Sequence, residues 1–129
     1  MESLKLSLTL PVKAGELYKA WLDSKKHTAF TGAKATQSLK VNGTHTAWDG
    51  YISGKNLELT PGKKIVQSWR TTEFADDAPD STLEVSFEEK AGKTKLTLYH
   101  HGLQKGDAKK YTQGWKDFYF GPMKAYFGE

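Results

Sequence analysis

Hydrophobic residues recur at three- and four-residue steps along the C-terminal stretch Gly106 to Glu129. At about 100° per residue, this spacing places them on one side of a helix and puts lysines and other polar residues on the opposite side. The members of this stripe are Ala108, Tyr111, Thr112, Trp115, Phe118, Tyr119, Pro122, Met123 and Tyr126. The stripe is aromatic and too wide for one helix to bury by itself. The pattern therefore predicts that strands upstream form a concave surface that receives this helix.

Two features modify the predicted helix. Asp107 follows a glycine and is suited to be an N-cap, where its carboxylate accepts hydrogen bonds from the free N–H groups of the first turn. Pro122 lies inside the periodic pattern and removes the hydrogen bond to the Phe118 carbonyl, which predicts a bend rather than an end because the stripe continues. Phe120 and Phe127 lie off the stripe. We interpret them as covers for neighbouring loops, with a self-association patch as the alternative.

The N-terminal part of the chain changes from a period of two to a helical period. Leu4, Leu6, Leu8 and Leu10 alternate with polar residues, which predicts a strand with one buried face. Pro11 ends this strand. Helical spacing follows at Leu17, Tyr18, Trp21 and Leu22, and a second short helix is predicted around Ser24 to Phe30, before Thr31 and Gly32 stop it.

The middle of the chain, from Thr44 to His100, has the pattern of strands separated by short turns. A bulge or bend is predicted at Gly50 and Gly54, a turn at Pro61–Gly62, a long strand over Lys63 to Phe74, and an acidic loop over 75–80. Two further strands alternate strictly, and their inward residues are Leu83, Val85, Phe87, Leu96 and Leu98. The short connections favour antiparallel hairpins. The fold class predicted is α+β, with about five or six antiparallel strands, two short helices and one long C-terminal helix.

Composition excludes several classes of protein. A chain of 129 residues fits one domain, 1–129, and no apolar run approaches the roughly eighteen residues needed to span a bilayer. The absence of a signal-like segment favours a cytoplasmic location. No cysteine is present, so disulfides and thiolate chemistry are excluded. The net charge of +4 comes from scattered lysines rather than a basic stripe with exposed aromatics, which argues against a nucleic-acid partner.

Several motifs resemble the family of the C-terminal domain of the activator of Hsp90 ATPase, within the wider START-like, Bet v 1-like group. They are the D-G-x-I-x-G element at Asp49 to Gly54, the strand P-G-K-K-I-V-x-x-W-R at Pro61 to Arg70, and the Gly114–Trp115 pair in the helix. The likeness extends from Leu4 to Phe127. It implies a helix-grip fold, in which a curved antiparallel sheet wraps around the C-terminal helix and leaves a cavity between them. Members of the wider group bind lipids, sterols or polyketides, and a few are cyclases or hydrolases.

An apolar cavity with a few inward polar groups is the default binding site in such a fold. On the strand after Pro61, Ile65, Gln67 and Trp69 share one face, and on the last strand His100 points inward with Leu96 and Leu98. The predicted ligand-lining residues are Phe30, Trp48, Gln67, Trp69, His100, Tyr111, Trp115 and Tyr119. The adjacent His100 and His101 point to opposite faces and cannot share a metal, so neither a metal site nor a cofactor is predicted.

Each of these residues also has a purely structural interpretation. Trp69 and Trp115 fill space in the core under that interpretation, and Gln67 and His100 are satisfied core polar groups. Arg70 is expected to pair with an outer-face carboxylate such as Glu84 or Glu58.

Three functions remain open on the sequence alone. The first is a non-enzymatic domain that binds a small hydrophobic or amphipathic molecule between sheet and helix. The second is a protein-interaction module that docks on an Hsp90-type chaperone through the outer sheet face, with Lys95, Tyr99, Arg70 and Glu84. The third is a small cyclase or hydrolase that uses His100 with a tyrosine hydroxyl; no nucleophile–base pair marks a catalytic residue.

Overall fold

The computed structural model describes residues 1–128 and has the predicted order of elements. The elements are β1 (Glu2–Leu10), α1 (Ala14–Leu22), α2 (Ser24–Thr31), β2 (Thr44–Ala47), β3 (Ile52–Thr60), β4 (Lys64–Thr71), β5 (Ser81–Lys90), β6 (Lys93–Leu103), α3 (Asp107–Trp115), a π-helical turn (Lys116–Phe120) and α4 (Gly121–Phe127). The end of the predicted C-terminal helix, Glu129, lies outside the described residues.

The strands form one antiparallel sheet in the order β1-β6-β5-β4-β3-β2. Strands β2 to β6 follow one another in sequence, joined by short turns except for the loop 72–80 between β4 and β5, whereas β1 reaches its place beside β6 by a long-range pairing. This pairing sets Leu6 opposite Leu98 and Leu8 opposite Leu96. The sheet curves around the C-terminal helix, and the predicted α+β helix-grip fold is confirmed.

Strand alternation determines which side chains form the core. The inward leucines of β1, the inward residues of β5 and β6, and Ile65 and Trp69 of β4 are buried as predicted, with Leu6 half-buried. Gln67 and His100 are also fully buried, which confirms the predicted parity of their strands. The sheet face toward the helix is therefore apolar, with a few enclosed polar groups.

A π-helical turn over Lys116–Phe120 precedes Pro122 in the C-terminal helix. Pro122 has no N–H, and the Gly121 N–H donates to the Lys116 carbonyl, five residues back. The extra residue in this turn rotates the remaining residues of the helix relative to a regular α-helix. As a result Phe118, predicted to lie on the buried stripe, is 53% exposed, and Phe120, predicted to lie off it, is buried.

The same rotation reorders the end of the helix. Tyr126 of the predicted stripe is exposed, while Phe127 packs against Phe30 with ring centroids 5.8 Å apart. Phe120 is part of the core and Phe127 packs against it beside α2, so both contribute to core packing instead of covering loops.

The N-termini of α1 and α3 donate hydrogen bonds to residues distant in sequence. The predicted cap at Asp107 is wrong: this residue is the first of α3 and its side chain makes no capping bond. Instead, Glu2 Oε1 of β1 accepts a hydrogen bond from the Ala108 N–H at 3.1 Å. Hydrogen bonds from the Gly106 and Ala108 N–H groups lower the pKa of the Glu2 carboxyl. Likewise, Glu89 Oε1 accepts from the Ala14 N–H at the start of α1, at 2.9 Å.

The bend predicted at Gly50 and Gly54 occurs only at the first of these. Gly50 lies in the turn between β2 and β3, whereas Gly54 lies inside β3. A Cβ at Gly54 would be 1.8 Å from the Ser68 carbonyl oxygen and 2.6 Å from His45 Nε2. Gly54 therefore permits a close approach between β3 and β4.

Candidate functional site

A cleft of about 500 Å³ opens between the inner sheet face and the C-terminal helix. The turn before β3, strands β3 and β4, and the α3 and π-turn segments supply its walls. The residues that line it are Trp48, Tyr51, Ile52, Trp69, Lys110, Tyr111, Gln113, Gly114, Trp115, Asp117, Phe118 and Tyr119. The volume falls within the range of small-molecule sites in proteins.

Aromatic rings form the floor of the cleft. Trp69 lies 5.7 Å from Trp115 and 5.1 Å from Tyr111, measured between ring centroids, and Trp115 lies 4.7 Å from Tyr119. All four side chains are buried. The tilted and edge-on arrangements are those that aromatic pairs prefer, so the floor is a packed and rigid apolar surface.

The mouth of the cleft is formed by Trp48 and Phe118, whose rings meet edge to face at 5.2 Å. Trp48 begins a turn in which it and Asp49 both have left-handed backbone angles, with φ of 52° and 58°. Such angles are uncommon for residues other than glycine and store local strain. The Trp48 Nε1–H is enclosed and makes no hydrogen bond with any residue that the structure describes. The structure therefore leaves this enclosed donor unpaired.

Charged groups lie only at the rim. Lys110 pairs with Glu73, and the Tyr51 hydroxyl donates to Glu73 Oε2 at 3.0 Å. The hydrogen bond from Lys110 lowers the pKa of the Glu73 carboxyl, and the same bond raises the pKa of Lys110. Asp117, also at the rim, accepts a hydrogen bond from Gln113 Nε2 at 2.9 Å. These groups are exposed and paired, and the interior of the cleft remains apolar.

His100 lies below the floor and does not line the cleft. The Trp115 Nε1–H donates to His100 Nδ1 at 3.2 Å, and His100 Nε2 bonds to Ser81 Oγ at 2.8 Å. Because an indole nitrogen can only donate, the His100 proton resides on Nε2 and is given to Ser81, whose hydroxyl donates to the Trp69 carbonyl at 2.7 Å. Burial lowers the pKa of His100 to about 3. The imidazole is a neutral, fully bonded structural group.

His27 occupies a second enclosed site behind the cleft. Its Nδ1–H donates to the Trp21 carbonyl at 2.8 Å, and its Nε2 accepts from the Tyr119 hydroxyl at 2.7 Å. Burial lowers the pKa of His27 to about 4 and raises that of the Tyr119 hydroxyl. Tyr119 thus turns its hydroxyl away toward α2 and presents its ring to the cleft.

Gln67 and Phe30 also lie outside the cleft. Gln67 Nε2 donates to Asn56 Oδ1 at 2.9 Å, and Gln67 Oε1 accepts from the Trp21 indole at 3.4 Å. Phe30 packs against His27, with centroids 4.7 Å apart. The structure therefore gathers the following predicted residues around the cleft: Trp48, Trp69, Tyr111, Trp115 and Tyr119. It places Gln67, His100 and Phe30 in the packing behind them.

Sequence reasoning missed several lining residues. Tyr51 and Ile52 lie in the D-G-x-I-x-G element, so that motif carried a signal for them. Gly114 belongs to the Gly114–Trp115 pair and leaves open space, since a Cβ there would meet no atom within 4 Å. Helical spacing puts Lys110 and Gln113 on the polar side of the helix, and only the three-dimensional structure shows that they reach the rim.

The cleft lining offers few groups for acid–base chemistry. Within residues 1–128, the cleft lining contains no histidine, and its one carboxylate, Asp117, is exposed at the rim. The described residues contain no group of three or more His, Cys, Asp or Glu that could hold a metal ion. No helix among them is both long and apolar enough to cross a membrane.

The outer face of the sheet carries a separate polar network. Tyr99, 38% exposed, stacks on His101 at 4.7 Å, and His101 Nε2 lies 2.9 Å from Glu84 Oε2. Lys64 Nζ lies 3.4 Å from the other Glu84 oxygen. Arg70 pairs with a carboxylate as expected, but that carboxylate belongs to Asp80 and not to Glu84 or Glu58.

Arg70 instead holds the acidic loop that follows β4. Its guanidinium donates to Asp80 Oδ1 at 2.7 Å and to the carbonyls of Ala78 and Ala75 at 3.0 and 2.9 Å. Asp80 and the loop carbonyls thus accept the hydrogen bonds of the Arg70 guanidinium. Strand alternation alone predicts partners on the neighbouring strands instead.

Comparisons with known proteins connect this fold to a family. The family model described as activator of Hsp90 ATPase homolog 1-like protein matches residues 11–128. The Homo sapiens protein named activator of 90 kDa heat shock protein ATPase homolog 1 is 30% identical over 125 residues, which are 97% of this chain and 37% of that protein. A Dictyostelium discoideum protein of similar name is 28% identical over 89% of this chain and 30% of its own length. The chain thus spans about a third of the length of these relatives.

Solved structures show the same architecture. An HSP90 activator from Plasmodium falciparum superposes with a TM-score of 0.89 at 26% identity, covering 99% of this chain and 97% of that one. A Chromobacterium violaceum protein superposes with a TM-score of 0.78 at 18% identity, covering 98% and 97% of the two chains. This second likeness concerns the fold alone.

Proposed function

Because this chain belongs to the family of activator of Hsp90 ATPase homolog 1-like proteins, we propose that it binds an Hsp90-type chaperone and stimulates the ATPase of that chaperone. One observation carries the proposal. The Plasmodium falciparum HSP90 activator superposes on this chain over nearly the full length of both chains. The likeness to a chaperone activator therefore involves the whole domain rather than a shared fragment.

The outer sheet face is the surface we assign to the chaperone. Tyr99 presents a rigid, half-exposed ring there, and tyrosine is among the residues that most often dominate binding energy at interfaces. Glu84 lies opposite Tyr99 on the neighbouring strand, forms an ion pair with Lys64 and contacts His101, whose ring stacks on Tyr99. A rigid aromatic surrounded by paired charges combines an apolar anchor with a polar rim, as specific interfaces do.

The binding step is tested by calorimetric titration of the protein into an Hsp90-type chaperone from the same host. Tyr99→Ala should weaken binding by about tenfold or more, as expected for an interface anchor. Lys124→Ala, an exposed substitution on α4, is the matched control and should bind like the parent. Absence of heat and of complex formation by the parent protein would overturn the proposal, and unchanged binding by Tyr99→Ala would move the interface elsewhere.

A second function is favoured by the cleft itself. Its apolar interior and its size suit a small molecule with a hydrophobic body. Native mass spectrometry of protein purified from its own host supports this function if a small molecule is retained. Protein that carries none, and that shows no shifts in a fragment screen by NMR, would contradict it.

A further inference from the structure

Three exposed aliphatic side chains lie in the loop before β2 and on the part of β3 beside that loop, away from both the cleft and the outer-face network around Tyr99. Leu39 and Val41 lie in the loop before β2 and are 65% and 53% exposed, and Leu57 of β3 is 47% exposed. The loop backbone runs beside Asn56, the residue that precedes Leu57. Tyr99 lies on β6, three strands away in the sheet order. We call these residues, Leu39, Val41 and Leu57, the aliphatic patch.

The loop that displays this patch is fastened by one buried residue. Asn56 is fully buried, and its side-chain amide donates to the carbonyls of Ser38 and Lys40 at 2.8 and 3.0 Å. Its backbone N–H donates to the Gly43 carbonyl, and its carbonyl accepts from the Asn42 N–H. Every hydrogen-bonding group of Asn56 apart from its side-chain oxygen is thus bonded to residues 38–43.

Local packing makes the loop tighter still. A Cβ at Gly43 would lie 2.2 Å from Ser38 Oγ and 2.9 Å from the Lys40 carbonyl, so the two ends of the loop touch. Gln67 holds the remaining side-chain oxygen of Asn56 from the core side, at 2.9 Å. The patch is therefore presented in a fixed conformation, and a partner that binds it does not have to order the loop.

Lysines lie close to the patch in sequence and on the helix that is bonded to its loop. Lys40 and Lys55 flank its residues in sequence, and Lys25 and Lys26 lie at the start of α2, which Ser24 joins to the loop through the Gln37 N–H at 2.9 Å. These lysines are exposed, and none has a carboxylate within ion-pair distance among residues 1–128.

Few neighbouring carboxylates offset this charge. Asp23 accepts a hydrogen bond from the Lys26 N–H as the cap of α2, and Glu58 follows Leu57 on β3. The surroundings of the patch are consequently basic.

We propose that the aliphatic patch binds an acidic segment of a partner protein that carries aliphatic side chains. The lysines supply the charge that an acidic segment complements, and the leucines and valine supply apolar contacts at the centre. The patch contains no aromatic residue, in contrast to membrane-interface and single-stranded nucleic-acid surfaces, which rely on aromatic rings. The proposal does not depend on the chaperone assignment, which uses a different face.

Binding to this surface is measured with a fluorescein-labelled synthetic peptide of alternating glutamate and leucine. The control is the same peptide with every glutamate replaced by glutamine, which removes its charge. Chemical-shift changes should be confined to residues 38–43 and 55–57. The double variant Leu39→Ser with Val41→Ser, and separately Lys40→Gln with Lys55→Gln, should each weaken binding by about tenfold. Lys109→Gln on α3 removes one charge elsewhere and should bind like the parent. Because all of these positions are exposed, the NMR spectrum should keep its dispersion.

Several results would overturn the proposal. Shift changes located in the cleft or on β6 would place the site elsewhere, and equal binding of the glutamine peptide would remove its electrostatic basis. Binding to vesicles of phosphatidylserine and phosphatidylcholine that both double variants abolish, with no binding of the peptide, would make the patch a membrane contact. Failure of the chaperone to bind, together with peptide binding at the patch, would leave this inference standing and remove only the proposed function.

Discussion

The indole N–H of Trp115 donates to Nδ1 of His100 across a distance of 3.2 Å, beneath the floor of the cleft. This bond links the C-terminal helix to β6, and it sets which imidazole nitrogen carries the proton. Through Ser81 the same chain of hydrogen bonds ends on the Trp69 carbonyl of β4. The polar groups behind the cleft are therefore bonded to each other rather than held ready for a ligand.

Replacing His100 should reduce stability rather than alter ligand preference. His100→Leu leaves the buried Trp115 Nε1–H without an acceptor, which costs about 1–3 kcal/mol in free energy of unfolding. Urea unfolding monitored by tryptophan fluorescence measures this change. Lys95→Ala, at an exposed position of the same strand, should leave the midpoint unchanged. An unchanged midpoint for His100→Leu would show that the bond adds nothing.

Trp115→Ala should destabilise the protein by roughly 3 to 5 kcal/mol, the range for removing a large buried aromatic side chain. Trp115 is buried against Trp69, Trp21 and Tyr119, and the surrounding rings cannot all collapse into the space. The measurement is again the urea midpoint at constant slope. Lys116→Ala, the exposed neighbour, is the control and should change little. A parent-like midpoint for Trp115→Ala would contradict the close packing of these rings.

Acid should destabilise the fold through its buried histidines. Burial lowers the pKa of His100 to about 3 and of His27 to about 4, and it shifts the pKa of His45 in the same direction. In the unfolded chain these histidines bind protons below about pH 6.5, whereas in the folded protein they stay neutral to a much lower pH. The free energy of unfolding therefore decreases as the pH is lowered. The contribution of these neutral histidines to stability is fully present above about pH 6.5. Near pH 5, His27 and His100 each lower the free energy of unfolding by roughly 2 kcal/mol.

Urea unfolding at about pH 7.5 and about pH 5 measures this loss. His100→Leu carries one buried imidazole fewer and should lose less stability over the same interval. Equal midpoints for the parent protein at both pH values would show that these imidazoles are not held neutral by the fold.

The cleft can be filled without disturbing the core. Gly114 lines it, and a side chain there meets no atom within 4 Å of its Cβ. Leucine is also a much better helix former than glycine, by up to about 1 kcal/mol. Gly114→Leu should therefore abolish binding of the fluorescent probe anilinonaphthalene sulfonate and leave the melting temperature equal or higher. Gly15→Ala in α1, also free of contacts, should keep probe binding. Probe binding retained by Gly114→Leu would place the probe outside the cleft.

The strands and core were predictable because alternation and helical spacing report directly on burial. Leu83, Val85 and Phe87 could be assigned from their own segment, since no partner elsewhere in the chain changes their parity. The orientation of residues at the end of the C-terminal helix could not be predicted in this way, because the π-helical turn before Pro122 rotates Phe118 outward and Phe120 inward. A proline in the sequence predicts a bend, but it does not determine which of the neighbouring residues face the core.

The site residues were harder to predict because their partners lie far away in sequence. Gln67 and His100 were correctly placed inside, but their bonds to Trp21, Asn56, Ser81 and Trp115 consume the polar groups that a ligand would need. Alternation gives the face on which a side chain lies and says nothing about what fills the space opposite it. The rim and the aliphatic patch likewise depend on loops whose paths the local pattern does not determine.

The most direct test of the chaperone assignment is the steady-state rate of ATP hydrolysis by an Hsp90-type chaperone from the same host, measured with and without this protein in excess. We expect a rate that rises with added protein to a plateau, with Tyr99→Ala giving a smaller rise and Lys124→Ala a parent-like one. An ATPase rate that stays at its basal value at saturating protein would contradict the assignment.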